Sequence, residues 1–200
     1  MSAAASASAP RRLLYLLAGW GSVGTAYTFG AQYAAGARPV PELALDAAFG
    51  HLPGAIWVYL SFFLFIPYAY ARAPAARLPW LMLAMQGCAV VAAIAFALWP
   101  TTAGSVPAHA TPMLRWLASM DSPANCLPSL HGALSLLCAW ALLQDERPLH
   151  SALMLAWAGL ICWSAIALRR HLVFDLGAGI VLGALCGAAL LPARRWRPSW

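Results

Sequence analysis

The sequence contains no lysine, so its twelve basic residues are all arginine. Only 9% of the residues are charged, whereas 62% are hydrophobic. A soluble domain of this length would need charged helix faces around its core, so the scarcity of charge excludes that class and predicts an integral membrane protein. The net charge of +6 forms no basic stripe along any segment, which argues against a nucleic-acid partner.

Metal-binding spacings are also lacking. Of the five cysteines, only Cys126 lies in a predicted loop, and the odd count implies no disulfide framework. The other four lie within apolar runs, where a thiol behaves as a small hydrophobic group: Cys88, Cys138, Cys162 and Cys186. We therefore expect neither a metal nor a cofactor.

Six long apolar runs dominate what is present. Each is about as long as a helix that crosses a bilayer, roughly 17–25 residues. The predicted spans are residues 13–35, 53–71, 79–99, 129–144, 149–168 and 171–191. The expected fold is an all-α integral membrane protein with six transmembrane helices. It comprises a disordered tail at 1–10, a six-span domain at 11–193 and a basic tail at 194–200.

The arginines predict the orientation of these spans. Eight fall at one end of the predicted bundle: Arg11, Arg12, Arg72, Arg77, Arg147, Arg194, Arg195 and Arg197. The positive-inside rule makes that end cytoplasmic, with both termini inside. An arginine-rich and alanine-rich chain without lysine is typical of a GC-rich bacterial genome, so we expect the inner membrane, with the other end facing the periplasm.

Two loops are expected at the outer end. Residues 36–52 are predicted to contain a short interfacial helix, with Glu42 and Asp46 on a solvated surface. The loop at 100–128 carries five prolines, which exclude one continuous helix, but residues 113–120 are predicted to form a short amphipathic segment. Because this loop leads directly into the fourth span, it is expected to cover a site there.

Glycines recur every four residues in the sixth span, at Gly179, Gly183 and Gly187. A stripe of small residues lets two helix backbones approach closely. We interpret it as a packing surface.

Ionisable residues at the start of the sixth span indicate chemistry. His171 and Asp175 are four residues apart, so on a helix the carboxylate can orient the imidazole and leave its other nitrogen free as a nucleophile or base. If His171 opens the helix, the unpaired backbone N–H groups also favour an anion, and Arg169 and Arg170 add positive charge. The alternative is an interfacial histidine beside two snorkelling arginines.

A second histidine stands at the start of the fourth span, at the same outer end. In the run Pro128-Ser129-Leu130-His131, the proline fits a first helical turn and the serine can offer its hydroxyl there. Phosphoryl transfer needs a nucleophile, an acid for the leaving oxygen and cations for the other oxygens. His171, His131 and the arginines supply these three kinds of group.

These residues resemble the motifs of the type 2 phosphatidic acid phosphatase superfamily. Pro128-Ser129-Leu130-His131 matches its Pro-Ser-x-His motif. Ser164, His171 and Asp175 match the motif Ser-Arg, five residues, His, three residues, Asp. The resemblance implies a six-helix membrane core that cleaves lipid phosphates or phosphodiesters without a metal. It implies that His171 forms a phosphohistidine, Asp175 orients it, His131 protonates the leaving alcohol, and Ser129 and Ser164 contribute to substrate binding.

Two cations of the family pattern are missing. Ala165 stands where the third motif has arginine, and the first motif, a lysine separated by six residues from Arg-Pro, is not found. Arg169 or Arg170 is expected to substitute, with Arg169 preferred. Arg38 and Arg115 are further candidates, reaching in from the outer loops.

The leucine of Pro-Ser-Leu-His and the weakened arginine motif resemble the inositol phosphorylceramide synthase and sphingomyelin synthase branch, as does Tyr59-Leu60-Ser61 before an apolar run. Members of that branch transfer a phosphorylated head group to a lipid alcohol. Three functions therefore stay open: a lipid phosphatase, a head-group transferase to a lipid alcohol of the ceramide or diacylglycerol type, and a catalytically degenerate lipid-binding protein. The sequence specifies neither the lipid nor the oligomeric state.

Overall fold

The computed structural model of the protein describes residues 7–32, 36–49, 51–103, 110–122 and 124–191. The described residues form nine α-helices and two very short strands, and 3-10 turns at Pro53–Ala55 and Ala75–Arg77 lead into α3 and α5. The elements are α1 (Ala9–Ala31), β1 (Arg38–Pro39), α2 (Ala44–Ala48), α3 (Ile56–Leu60), α4 (Phe62–Arg72), α5 (Leu78–Leu98), β2 (Thr101–Thr102), α6 (Pro112–Met120), α7 (Leu130–Leu142), α8 (Pro148–Ala167) and α9 (Val173–Ala189).

Three helical segments among the described residues are long and apolar enough to cross a membrane. They are Pro53–Arg72, Ala75–Leu98 and Pro148–Ala167, with 20, 24 and 20 residues. Helix α1 has 23 residues but is less apolar, and α7 and α9 are apolar but have 13 and 17 residues. Each of the six predicted runs therefore contains a helix, and three of the six meet the length and composition of a span.

Several predicted boundaries are corrected by the structure. Helix α1 begins at Ala9 rather than residue 13, because Pro10 fits the first turn, where a missing N–H costs nothing. The predicted tail at 1–10 is therefore too long, and residues 1–6 lie outside the described part. The predicted basic tail at 194–200 lies outside it as well. Helix α9 begins at Val173, two residues after His171.

At the end of the bundle that lies away from the two motif histidines, called here the opposite end, arginine side chains bind to backbone carbonyls. Arg12 Nη1 donates hydrogen bonds to the carbonyl oxygens of Tyr70 and Ala73, at 2.8 and 2.9 Å. Arg77 Nη1 donates to Ala141 O at 3.1 Å. These carbonyls lie at the C-terminal ends of α4 and α7, where the helix leaves them without intrahelical donors. Both arginines thus stabilise helix ends.

At the end that carries the two motif histidines, called here the site end, short backbone pairings join the loops. Strand β1 pairs in parallel with β2, in the register Arg38 to Thr101, and Thr101 also bridges to Asn125. Helix α6 forms within the predicted amphipathic segment, with Leu114 and Leu117 buried. The interfacial helix predicted within 36–52 is reduced to the five residues of α2.

The glycine stripe of α9 packs against α7, as the four-residue spacing predicts. A Cβ added at Gly179 would lie 2.0 Å from Ser129 O, and one at Gly183 would lie 2.7 Å from Ala133 O. A side chain at either position would therefore push the two helices apart. The close approach brings the N-terminal ends of α7 and α9 side by side. This packing also brings together the two histidines of the motifs, His131 and His171.

Candidate active site

Asp175 fixes both the ring of His171 and the start of α9. Its Oδ2 lies 2.6 Å from His171 Nδ1, and its Oδ1 accepts the N–H of Leu172 at 2.6 Å. Asp175 is fully buried, and His171 is 5% exposed. A carboxylate can only accept, so Nδ1 of His171 carries the hydrogen and Nε2 keeps its lone pair.

Two backbone N–H groups at the start of α9, which the sequence analysis expected to bind an anionic ligand, are already bound to carboxylates of the protein. Leu172 N–H is taken by Asp175, and Val173 N–H donates to Asp46 Oδ1 at 2.7 Å. His171 precedes the helix instead of opening it, because Leu172 is its N-cap. Asp46 is completely buried, which corrects its assignment to a solvated surface. The helix dipole therefore stabilises two carboxylates of the protein itself.

His131 meets His171 directly. Its Nδ1 lies 3.2 Å from His171 Nε2, which is a hydrogen-bonding distance. Because Nε2 of His171 is the acceptor, the hydrogen sits on Nδ1 of His131. The His131 ring packs between Tyr59 and Phe62, with ring centroids 4.6 and 4.5 Å away. Its Nε2 is buried and has no hydrogen-bond partner among the described residues.

The two serines expected to bind substrate each form a hydrogen bond with the backbone of their own helix. Ser129 is the N-cap of α7, and its hydroxyl accepts the N–H of Gly132 at 3.4 Å. Ser164 donates its hydroxyl to Ile161 O at 2.7 Å. Both are fully buried, and neither lines the cavity beside the histidines. Such local bonds between a hydroxyl and nearby backbone groups are common near helix ends, and the roles of both serines in substrate binding stay predictions.

The two adjacent arginines point in different directions, and the one that lines the cavity is Arg170, not the Arg169 that the sequence analysis preferred. Arg169 has φ of 56°, a left-handed backbone that turns the chain. Its Nη1 pairs with Glu42 Oε1 at 2.6 Å, and the side chains are 30% and 59% exposed. Arg170 instead lines the cavity and pairs with Asp121 Oδ2, through Nη2 at 2.7 Å and Nε at 3.2 Å.

The other candidate arginines do not reach the histidines. The guanidinium of Arg38 lies 3.9 Å from the centre of the Trp99 ring, a cation–π contact. Arg115 donates to Ala110 O near the start of its own helix. Neither side chain lines the cavity.

Asp121 is a functional candidate that no pattern in the sequence indicated. It accepts hydrogen bonds from Arg170 and from the hydroxyl of Tyr27, which comes from α1. Burial alone would raise the pKa of Asp121, but Arg170, His131 and Tyr27 outweigh it, so the pKa lies below its ordinary value. Burial likewise lowers the pKa of Arg170, but the charge of Asp121 overcomes this and raises it. Both members of the pair are therefore ionised near neutral pH.

A cavity of about 250 Å³ adjoins the two histidines. Its wall is mainly aromatic and aliphatic, and its polar members besides the histidines include Asp121, Ser122, Asn125 and Arg170. The apolar lining comes from α1, α3, α4, α6 and α7: Trp20, Val23, Tyr27, Tyr59, Phe62, Phe63, Leu117, Met120, Leu130 and Leu134. Reactive nitrogens beside an apolar space suit a substrate with a hydrocarbon part.

Ligand atoms of Cys126, His171 and Asp175 all lie within 4.8 Å of one another, so this trio is where a metal could bind. Burial, and then the charge of Asp175, raise the pKa of the Cys126 thiol to about 12. A metal would have to remove that proton and displace the 2.6 Å contact between His171 and Asp175. The donor set therefore fits a hydrogen-bonded acid–imidazole pair beside a neutral thiol better than it fits a metal.

Comparison of the chain with models of protein families, with curated proteins and with solved structures found no match.

Proposed function

We propose that the protein is a membrane-embedded enzyme that cleaves a lipid phosphate or phosphodiester through a phosphohistidine on His171. The observation that carries the proposal is the row of hydrogen-bonded groups Asp175, His171 and His131 beside an apolar cavity. Such a row is what nucleophilic catalysis by an imidazole requires: a nucleophile, an orienting acid behind it and a proton donor in front.

The membrane arrangement belongs to the same proposal. Six helical segments cross the bilayer: α1, α3 with α4, α5, α7, α8 and α9. Both termini are cytoplasmic, and the site end faces the periplasm of a bacterial inner membrane. The motif spacing and the six-run pattern support membership in the type 2 phosphatidic acid phosphatase superfamily. Leu98 and Leu64, 77% and 67% exposed on their helices, are suited to lipid contact.

The first half of the reaction forms a phosphorus–nitrogen bond. Nε2 of His171 attacks phosphorus, and the bond between phosphorus and the leaving oxygen breaks. His131, once protonated on both ring nitrogens, gives its Nδ1 proton to that oxygen and returns to the neutral form, so an alcohol leaves. Asp175 stabilises the positive charge that develops on His171, and Arg170 is the cation at hand for the phosphate oxygens. Because Nε2 and Nδ1 are 3.2 Å apart, the His131 ring has to turn aside for phosphorus to bind.

The second half reverses these roles. A water molecule or a lipid alcohol gives its proton to His131, its oxygen attacks phosphorus, and the phosphorus–nitrogen bond breaks. Water produces a phosphatase, and a lipid alcohol produces a head-group transferase. The aromatic wall around His131 favours the transferase as second candidate, since Tyr59 and Phe62 make the surroundings of the general base apolar.

A turnover assay tests the proposal. The full chain, purified in detergent, is incubated with fluorescent phosphatidic acid and with a fluorescent phosphodiester lipid, with and without diacylglycerol or ceramide. We expect turnover in the wild type, and its loss by at least about a thousandfold in His171→Ala. His150→Ala is the matched control, because this histidine lies at the start of α8, at the opposite end, and should leave turnover unchanged.

Two results would contradict the proposal. Turnover that survives His171→Ala would exclude the proposed nucleophile. Lipid binding without turnover of any phosphate ester would instead identify a degenerate lipid-binding protein. Stimulation by the added lipid alcohol, with the labelled head group appearing on it, distinguishes the transferase from the phosphatase.

A further inference from the structure

The geometry points to Asp121 as a specificity-determining residue, and we infer that the site takes a phosphodiester monoanion in preference to a phosphomonoester dianion. The inference rests on the proposed function, whose chemistry accepts either ester. It names the substrate class from the charges that surround the two histidines.

The fixed charges around the site include more negative groups than is usual for a site that binds phosphate. Among the described residues that line the cavity, Arg170 carries the permanent positive charge, and Asp121 already neutralises it at 2.7 Å. Asp175, fully buried behind His171, adds a second negative charge. One permanent positive charge, on Arg170, therefore stands against two carboxylates, Asp121 at the cavity and Asp175 behind His171. Asp46 adds a further buried carboxylate at the start of α9.

The neighbouring ionic groups do not offset this balance. Arg169 and Glu42 form their own pair at the surface, where the charges cancel. Arg38 stacks on Trp99, and neither residue lines the cavity. Arg170 can turn toward a phosphate only by loosening its contact with Asp121. Any substrate therefore competes with a carboxylate that is held in place by Tyr27 as well.

A phosphomonoester carries close to two negative charges at neutral pH, because its second pKa is about 6. A phosphodiester carries one. Since charges interact more strongly in a partly buried site than in water, the additional negative charge is opposed by Asp121 and Asp175. The same repulsion is smaller for the diester. The permanent cation at the cavity, Arg170, can balance the one negative charge of a diester but not the two of a monoester.

The substitution Asp121→Asn isolates this effect. Asparagine keeps the shape of the side chain but removes the charge. Its one carbonyl oxygen can accept from Arg170, and its NH2 group can donate to the Tyr27 hydroxyl. Glu42→Gln is the matched control, because it removes one carboxylate charge from the same end of the protein, outside the cavity. If Asp121 had only a structural role, the substitution would lower kcat/KM for both esters together and leave the ratio of the two kcat/KM values unchanged.

The experiment measures kcat/KM for phosphatidic acid and phosphatidylglycerol with identical acyl chains, in the same detergent micelles at pH 7.5. We expect the wild type to favour the diester, and Asp121→Asn to shift the ratio toward the monoester by about tenfold, with no shift in Glu42→Gln. If Asp121→Asn does not fold, the wild type gives the second test. Its monoester-to-diester ratio should rise as the pH falls through about 6, where the monoester loses a charge.

The outcomes separate the inference from the proposed function. A wild type that prefers the monoester at pH 7.5, or a ratio that neither Asp121→Asn nor the fall in pH changes, overturns the inference alone. Failure to turn over either ester contradicts the proposed function, and the inference with it.

Discussion

The arginines at the two ends of the helical bundle have different kinds of partner. At the opposite end, Arg12 and Arg77 donate to backbone carbonyls that terminate α4 and α7. At the site end, Arg169 and Arg170 pair with the carboxylates of Glu42 and Asp121. A carbonyl at a helix end offers an arginine a fixed structural partner. A carboxylate is an anion that a phosphate can replace, so only the second arrangement is suited to ligand exchange.

The acidic residues follow the same division. Asp175 and Asp46 are fully buried at the site end, where N–H groups of α9 and the His171 ring satisfy them. Asp145 and Glu146 lie in an exposed turn between α7 and α8, at the opposite end. Burying a carboxylate is costly unless its lone pairs are satisfied, so the site end carries ionic groups at an energetic disadvantage that the opposite end avoids. This contrast predicts which substitutions change chemistry and which change stability.

The largest expected effect is that of Asp175→Asn. An amide can hold His171 as the wrong tautomer and cannot stabilise the charge that develops on it, so we expect kcat to fall by about a thousandfold to ten-thousandfold. The measurement is turnover of the favoured lipid ester. Asp145→Asn at the opposite end is the control and should match the wild type. Near-normal turnover in Asp175→Asn would show that the pair at 2.6 Å does not orient the nucleophile.

Arg170→Gln tests the comparison of arginines directly. Removing the cation that faces the phosphate oxygens should lower kcat about a hundredfold to a thousandfold. Arg12→Gln should instead lower the midpoint of thermal unfolding in detergent and leave the kcat of the folded fraction unchanged, because its hydrogen bonds lie at the opposite end. The substitution frees the carbonyls of Ala7, Tyr70 and Ala73. Equal losses of turnover in the two variants would contradict the distinction between a catalytic arginine at the site end and a structural arginine at the opposite end.

Gly179→Ala should have a smaller effect that still reaches the site. Its Cβ would lie 2.0 Å from Ser129 O, so α9 must move away from α7, at a cost of about 1–3 kcal/mol of stability. Because this packing sets the contact between His131 and His171, turnover should also fall. Gly177→Ala is the control on the same helix, since its Cβ meets nothing within 4 Å. Thermal unfolding and turnover are measured together, and unchanged values for Gly179→Ala would contradict the packing role.

Motif spacing was sufficient to select His131, His171 and Asp175, because residues at the starts of two neighbouring helices meet when the helices pack closely. The structure brings them together as expected, and their catalytic roles stay predictions. The choice between Arg169 and Arg170 was beyond the sequence, since it depends on the left-handed backbone at Arg169.

The positions of Asp121 and Asp46 at the site could not be predicted from the sequence for a different reason. Their partners Arg170, Tyr27 and Val173 come from distant parts of the chain, so no local pattern marks them. The sequence also did not show that Ser129 and Ser164 bond to their own helices. A hydroxyl near a helix end has backbone groups within reach, and these compete with any ligand.

The smallest expected effect is a pH dependence confined to the site end. The pKa of Asp121 is lower in the folded protein than its ordinary value, because the charge of Arg170 outweighs the burial of the carboxyl. A lowered pKa means that the pair stabilises the fold above the ordinary carboxyl pKa of about 4, and that this contribution is lost as the pH falls through the folded value. The stability difference between wild type and Asp121→Asn should therefore be constant from pH 5 to 7 and shrink below about pH 4. The destabilisation by Arg12→Gln should show no such change, because the carbonyls that Arg12 binds do not titrate. Thermal unfolding of the three proteins in detergent across this range checks the difference, and a parallel acid dependence for both variants would contradict it.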